Sequence, residues 1–161
     1  MATAANGFRP DTRTRSGPGE RTGPAGWVLR ALVSAHVVVI LGQPVFAGVY
    51  LSGDFDGLRW HALGANIVTS IGYVQVIAAA TVWFRLRRLW PLSATLAVVA
   101  AETVQYFAGL AGALWLHLPL GVATVAGLVV LSIVVWIRPM PRRPRPASAG
   151  VPGAQEGEGH A

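Results

Sequence analysis

Leu114 to Ile137, LWLHLPLGVATVAGLVVLSIVVWI, contains no charged side chain and is closed by Arg138. Wound as a helix at ~1.5 Å per residue it covers roughly 36 Å, more than the ~30 Å of a bilayer's hydrocarbon core. A segment this long and this apolar leaves a chain few options. It must either cross a membrane or be buried by a large soluble domain. The whole chain has 161 residues, 53% of them hydrophobic, and outside this stretch it reads as three more such segments and two solvated tails.

Three further apolar runs accompany it, predicting spans at about Val28–Leu51, Trp60–Phe84 and Leu92–Ala113. Backbone groups inside lipid must be satisfied within each segment, and the runs are far too long for barrel strands, so helices are expected. The expected fold class is all-α: a four-helix transmembrane bundle over residues 27–138, with disordered cytoplasmic tails at 1–26 and 139–161. The N-terminal tail is rich in Gly, Pro, Thr and Arg and has no apolar stretch, so it does not read as a signal peptide. The third and fourth spans meet near Gly112–Leu116, which predicts a tight hairpin. Pro91 suits a helix's opening turn, and Pro44 inside the first span predicts a kink. Pro119 is expected in the first turn of the fourth span, where it is tolerated.

Charge sets the expected orientation. Arg9, Arg13, Arg15, Arg21 and Arg30 precede or open the first span, Arg85, Arg87 and Arg88 lie between the second and third, and Arg138, Arg142, Arg143 and Arg145 follow the fourth. On the opposite side stands Arg59 alone, with Asp54 and Asp56. The positive-inside rule then puts both termini in the cytoplasm, in a multi-pass protein of the inner (plasma) membrane. Trp27, Trp60, Trp83, Trp90, Trp115 and Trp136 fall near span ends, as aromatic belts do. The net charge of +6 is explained by this topology, so no nucleic-acid partner is expected. The partners expected are the lipid bilayer and, where function requires it, a redox partner or a larger membrane complex.

Without cysteine the chain has no disulfide, thiolate metal site or thiol nucleophile. Nor does it carry a Walker loop, a dinucleotide-binding glycine fingerprint, HExxH or a nucleophile elbow, so no catalytic residues are assigned and enzymatic activity is not expected. What remains is a set of polar residues inside the spans. His36, Gln43 and Tyr50 recur every seven residues along the first, and Thr95, Glu102, Gln105, Tyr106 and Gly109 share a face of the third. Counted from the arginine-flanked ends, His36 lies ~12 Å deep and Glu102 ~15 Å deep, on helices running the same way, so the two are within reach. An ionisable group there costs roughly 2.5–3.5 kcal/mol on insertion scales and needs a partner. The His36–Glu102 pair, with Gln43, Gln105 and Tyr106 nearby, reads either as helix-joining hydrogen bonding or as the proton site of a small transporter.

Two more histidines open the second and fourth spans from the acidic side. His61 is followed on its face by Gly64, Ala65, Val68 and Gly72; His117 by Gly121, Thr124, Leu128 and Ser132. The second span's other face holds Asn66, Thr69, Ser70 and Tyr73. The two hairpins also share a pattern: Gln43-x-x-Phe-Ala-Gly48 leads to His61, and Gln105-Tyr-Phe-Ala-Gly109 leads to His117. Paired histidines on facing helices are how bundles hold a b-type haem, so His61 and His117 are candidate cofactor-binding residues and ligands of a haem iron. They also read as amphipathic interface histidines beside Trp60 and Trp115, with no cofactor. With this pattern the chain resembles four-helix membrane haem proteins, notably half of a haem A synthase, whose ligand histidines come from the second and fourth helices near the outer side. That resemblance implies haem b and a role in electron transfer or haem handling. The acidic residue which that family carries one turn before its second-helix histidine is replaced here by Gly57 and Leu58, which argues against synthase activity. The chain also resembles small uncharacterised four-span bacterial membrane proteins, a likeness that implies no activity. A cofactor-free accessory or structural membrane subunit is the remaining alternative.

Overall fold

The computed structural model describes residues 22–140. They form four helices: α1 (Pro24–Leu51), α2 (Asp56–Leu86), α3 (Trp90–Leu110) and α4 (Leu114–Ile137). The chain is therefore all-α across these residues. α1, α2 and α4 are each long and apolar enough to cross a membrane. α3 is the shortest, at 21 residues, and Thr95, Glu102, Thr103 and Gln105 are spread along it, so no full-length stretch of it is as apolar as those of the other three.

Element ends depart from expectation in informative ways. α1 begins at Pro24, inside the expected tail, because proline is favoured at a helix's first position and its missing N–H costs nothing there. Gly23 and Met140 are held together by a backbone hydrogen bond of 3.3 Å, and Met140 is fully buried, so residues 22–26 and 139–140 belong to the folded unit. The remainder of both expected tails lies outside the described residues. α2 starts at Asp56 and not Trp60, since Asp54 accepts from the Asp56 backbone N–H and starts the turn four residues early. α3 stops at Leu110; Gly112, at φ 70°, makes the reversal that a residue with a Cβ would resist. α1 continues as one helix through Pro44, and Pro119 is the sixth residue of α4, in its second turn and not its first.

Short links make sequential helices antiparallel neighbours. α1 packs on α2, α2 on α3, α3 on α4, and α4 closes the ring against α1. The diagonal pairs, α1 with α3 and α2 with α4, make no backbone approach. Only side chains can meet across the centre, and this geometry decides what the polar residues do.

The bundle has two unlike ends. The arginine end holds both described termini and the α2–α3 link. Its core is aliphatic: Leu29, Val33, Ala79, Val82, Leu128, Leu131 and Val135 are buried together. Arg30 caps it. Its Nε donates to the Val135 carbonyl (3.1 Å) and its Nη2 to the carbonyls of Trp136 and Arg138 (3.3 Å each), satisfying the last turn of α4. The guanidinium also lies over the rings of Trp27 and Trp136, 5.1 and 5.2 Å from their centroids. A cation at a helix C-terminus is favourable, and stacking on indole covers it from hydrocarbon. The acidic end, with loops 52–55 and 111–113, has no comparable core.

Candidate functional site

Two side-chain pairs bridge the two diagonals. Across α1 and α3, His36 Nε2 lies 3.3 Å from Glu102 Oε2, with both side chains buried. This is the pairing expected from sequence. His36 is anchored from its other side, where Nδ1–H donates to Gln75 Oε1 at 3.1 Å. With the Gln75 oxygen as acceptor the ring carries a proton on Nδ1, and Nε2 is the atom that faces the Glu102 carboxyl. Gly72 makes room for it. A Cβ there would stand 3.2 Å from Glu102 Oε2 and 3.4 Å from the His36 ring, so any larger residue would make the pair give by a few tenths of an ångström.

Across α2 and α4, the rings of His61 and His117 meet edge to face, with centroids 6.0 Å apart and planes at 74°. The two halves of the bundle present them in the same way. His61 Nδ1 donates to the Gln43 carbonyl (3.1 Å), and His117 Nδ1 donates to the Gln105 carbonyl (2.9 Å). A carbonyl only accepts, so both rings carry the proton on Nδ1 and keep the Nε2 lone pair free. The amide side chains of the same glutamines lie over the following glycines, Gln43 over Gly64 and Gln105 over Gly121. The shared Gln–His pattern of the two hairpins thus corresponds to one repeated arrangement.

A cavity of about 40 Å³ joins the two levels. Its lining includes His61 and His117 at one end, Gln43, Gln105 and Tyr106 along its walls, and Glu102 at the other end. His61, His117, Gln43, Gln105, Tyr106 and Glu102, all singled out from sequence, line it, and His36 contacts Glu102. Tyr50 is the exception within its stripe. It is exposed and packs against Phe55, because α1 runs past the end of the bundle there. On α2 the His61–Gly64–Val68–Gly72 face turns inward, while Asn66, Ser70 and Tyr73 lie exposed, with Asn66 accepting from the Tyr106 hydroxyl at 2.9 Å.

Gln75 was missed by sequence reasoning. It continues the inward α2 face one turn past Gly72, and that spacing was the available signal. Thr95, two turns before Glu102 on α3, is likewise fully buried, with its hydroxyl unpartnered. Among the described residues no group of three or more His, Cys, Asp or Glu side chains could hold a metal ion. Compared with family models, curated proteins and solved structures, the chain matches none.

Proposed function

We propose that this chain is an integral membrane protein of four spans that holds haem b between α2 and α4, with His61 and His117 as iron ligands, for electron transfer or haem handling. One observation carries the reading: two imidazoles on diagonal helices face each other with Nδ1–H tied to backbone carbonyls and Nε2 free. A hydrogen bond from the second nitrogen is what orients and strengthens a ligating histidine.

The donor set fits haem; the packing around it is tighter. The present cavity admits an ion or a few waters and has no room for a porphyrin as it stands. Neither polar atom of the Gln43 amide has a hydrogen-bond partner to hold it in place. Bound haem would supply a one-electron couple. The residues of this chain would ligate it, fix the imidazole tautomers and exclude bulk water.

The membrane reading extends to α3. Its links to α2 and α4 are three residues each, and its 21 residues span roughly 31 Å, so it crosses wherever its neighbours cross. The arginine end is assigned to the cytoplasm, making both termini cytoplasmic and the acidic end external. A cofactor-free accessory subunit is the second reading, favoured by the edge-to-face packing in which the two rings fill the space themselves. The visible spectrum of the purified protein after haem supplementation separates the two. Haem ligation gives a Soret band that is lost in both His61→Ala and His117→Ala. No band, or a band that survives both substitutions, rejects the assignment.

A further inference from the structure

The centre of the bundle contains more buried polarity than its own hydrogen bonds satisfy. His36 Nε2, both oxygens of Glu102, Gln75 Nε2, the Thr95 hydroxyl and both polar atoms of the Gln43 amide are buried without a hydrogen-bond partner. The His36–Glu102 approach at 3.3 Å is close enough for an ion pair, yet it is not aligned as a hydrogen bond. A polar group left dry is costly, and a bundle in hydrocarbon has little with which to offset these seven atoms on five side chains. A small hydrogen-bonding guest is required.

The cavity supplies its place and its route. A buried water needs about 10–15 Å³ and two to four polar partners, so the 40 Å³ cavity holds about three. Its walls offer Gln43, Gln105 and Glu102, and its mouth is formed by His61 and His117, which are half-exposed at the acidic end. Towards the arginine end the route stops. Leu29, Val33, Val82, Leu128, Leu131 and Val135 pack the core there, and the buried polar side chains on that side are Thr95 and the carbonyl-bonded Arg30.

We infer that the bundle is a proton half-channel: water in this cavity connects the acidic end to a proton-binding site formed by Glu102 and His36, while the aliphatic core seals that site from the arginine end. A proton arriving on cavity water passes to the Glu102 carboxylate, one O–H bond breaking as the other forms, and then to His36 Nε2. Release retraces the same bonds. Gln75 holds the far side of the imidazole, so the proton enters and leaves only at Nε2. The other ionisable groups facing the cavity are His61 of α2, Tyr106 of α3 and His117 of α4; α1 brings only His36. The inference does not depend on haem, because the unpartnered atoms lie deeper than the two ligand candidates.

The test is hydrogen–deuterium replacement at the shared proton, read from the His36 Nε2 resonance of haem-free, ¹⁵N-histidine-labelled full-length protein in lipid nanodiscs, assigned with His36→Gln. Transfer into D₂O is expected to shift that resonance within minutes. Ala65→Leu, which narrows the cavity, is expected to slow the change by about tenfold or more, whereas Leu131→Ala in the aliphatic core leaves it unchanged. If Ala65→Leu does not fold, Thr69→Leu narrows the same cavity from the next turn of α2. A resonance static for hours in the native protein overturns the proposal. So does a rate that rises with Leu131→Ala and ignores the cavity substitutions, since the proton would then be coming from the other end.

Discussion

The arginine end and the acidic end of this bundle use the same four helices and bury opposite things. At the arginine end, aliphatic side chains interlock and the buried charge among the described residues, Arg30, has three carbonyl acceptors and two indole rings around it. Towards the acidic end, the interior is glutamine, histidine and glutamate around a cavity, and many of their polar atoms have no partner. Lipid tails are as apolar as leucine, so helix association in a membrane rests on packing and interhelical hydrogen bonds. One end therefore provides the cohesion. The other carries groups whose unsatisfied bonding is of use only to a guest.

Substitutions can break or sharpen this contrast. The largest effect is expected in the aliphatic core: Leu128→Ala leaves a cavity costing about 2–4 kcal/mol, measured by unfolding in mixed micelles, while Val122→Ala on the exposed face of the same helix costs under ~0.5 kcal/mol. Equal losses at the two positions would mean that the arginine end is not the cohesive one. Arg30→Gln should follow at about 2–3 kcal/mol, since three carbonyl contacts and the cation at the α4 terminus go together. A neutral result there would show that water replaces the guanidinium. The smallest effect belongs to the acidic half. Gln43→Leu removes an unpartnered amide and should leave stability within about 0.5 kcal/mol or raise it. A loss approaching that of Leu128→Ala would place Gln43 in a real hydrogen-bond network.

Particular residues show how much of this was legible in advance. The four helices follow from apolar length and from Arg, Gly and Pro at the run ends, with errors of a few residues where Pro24, Asp56 and Gly112 acted locally. The closeness of His36 and Glu102 follows from equal depth on parallel helices, and the Gln–His repeat was visible as a spacing. The role of Arg30 was not. In sequence it is one of several arginines flanking a span, and only the α4 carbonyls brought against it, more than a hundred residues on, make it a cap. Gln75 was passed over because an isolated amide in an alanine- and valine-rich run gives no sign of its partner.

The sequence by itself determined the helices, their antiparallel order and the segregation of charge between the two ends. These depend on local apolar length, short links and side-chain period, all of which are written along one dimension. Tertiary structure alone decided which polar groups meet. Closing the ring with α4 against α1 places α1 opposite α3 and α2 opposite α4, so that histidines and a carboxyl on non-adjacent helices converge. It also decided the tautomers of His61 and His117, because the carbonyl that each ring finds comes from a neighbouring helix brought alongside by the fold.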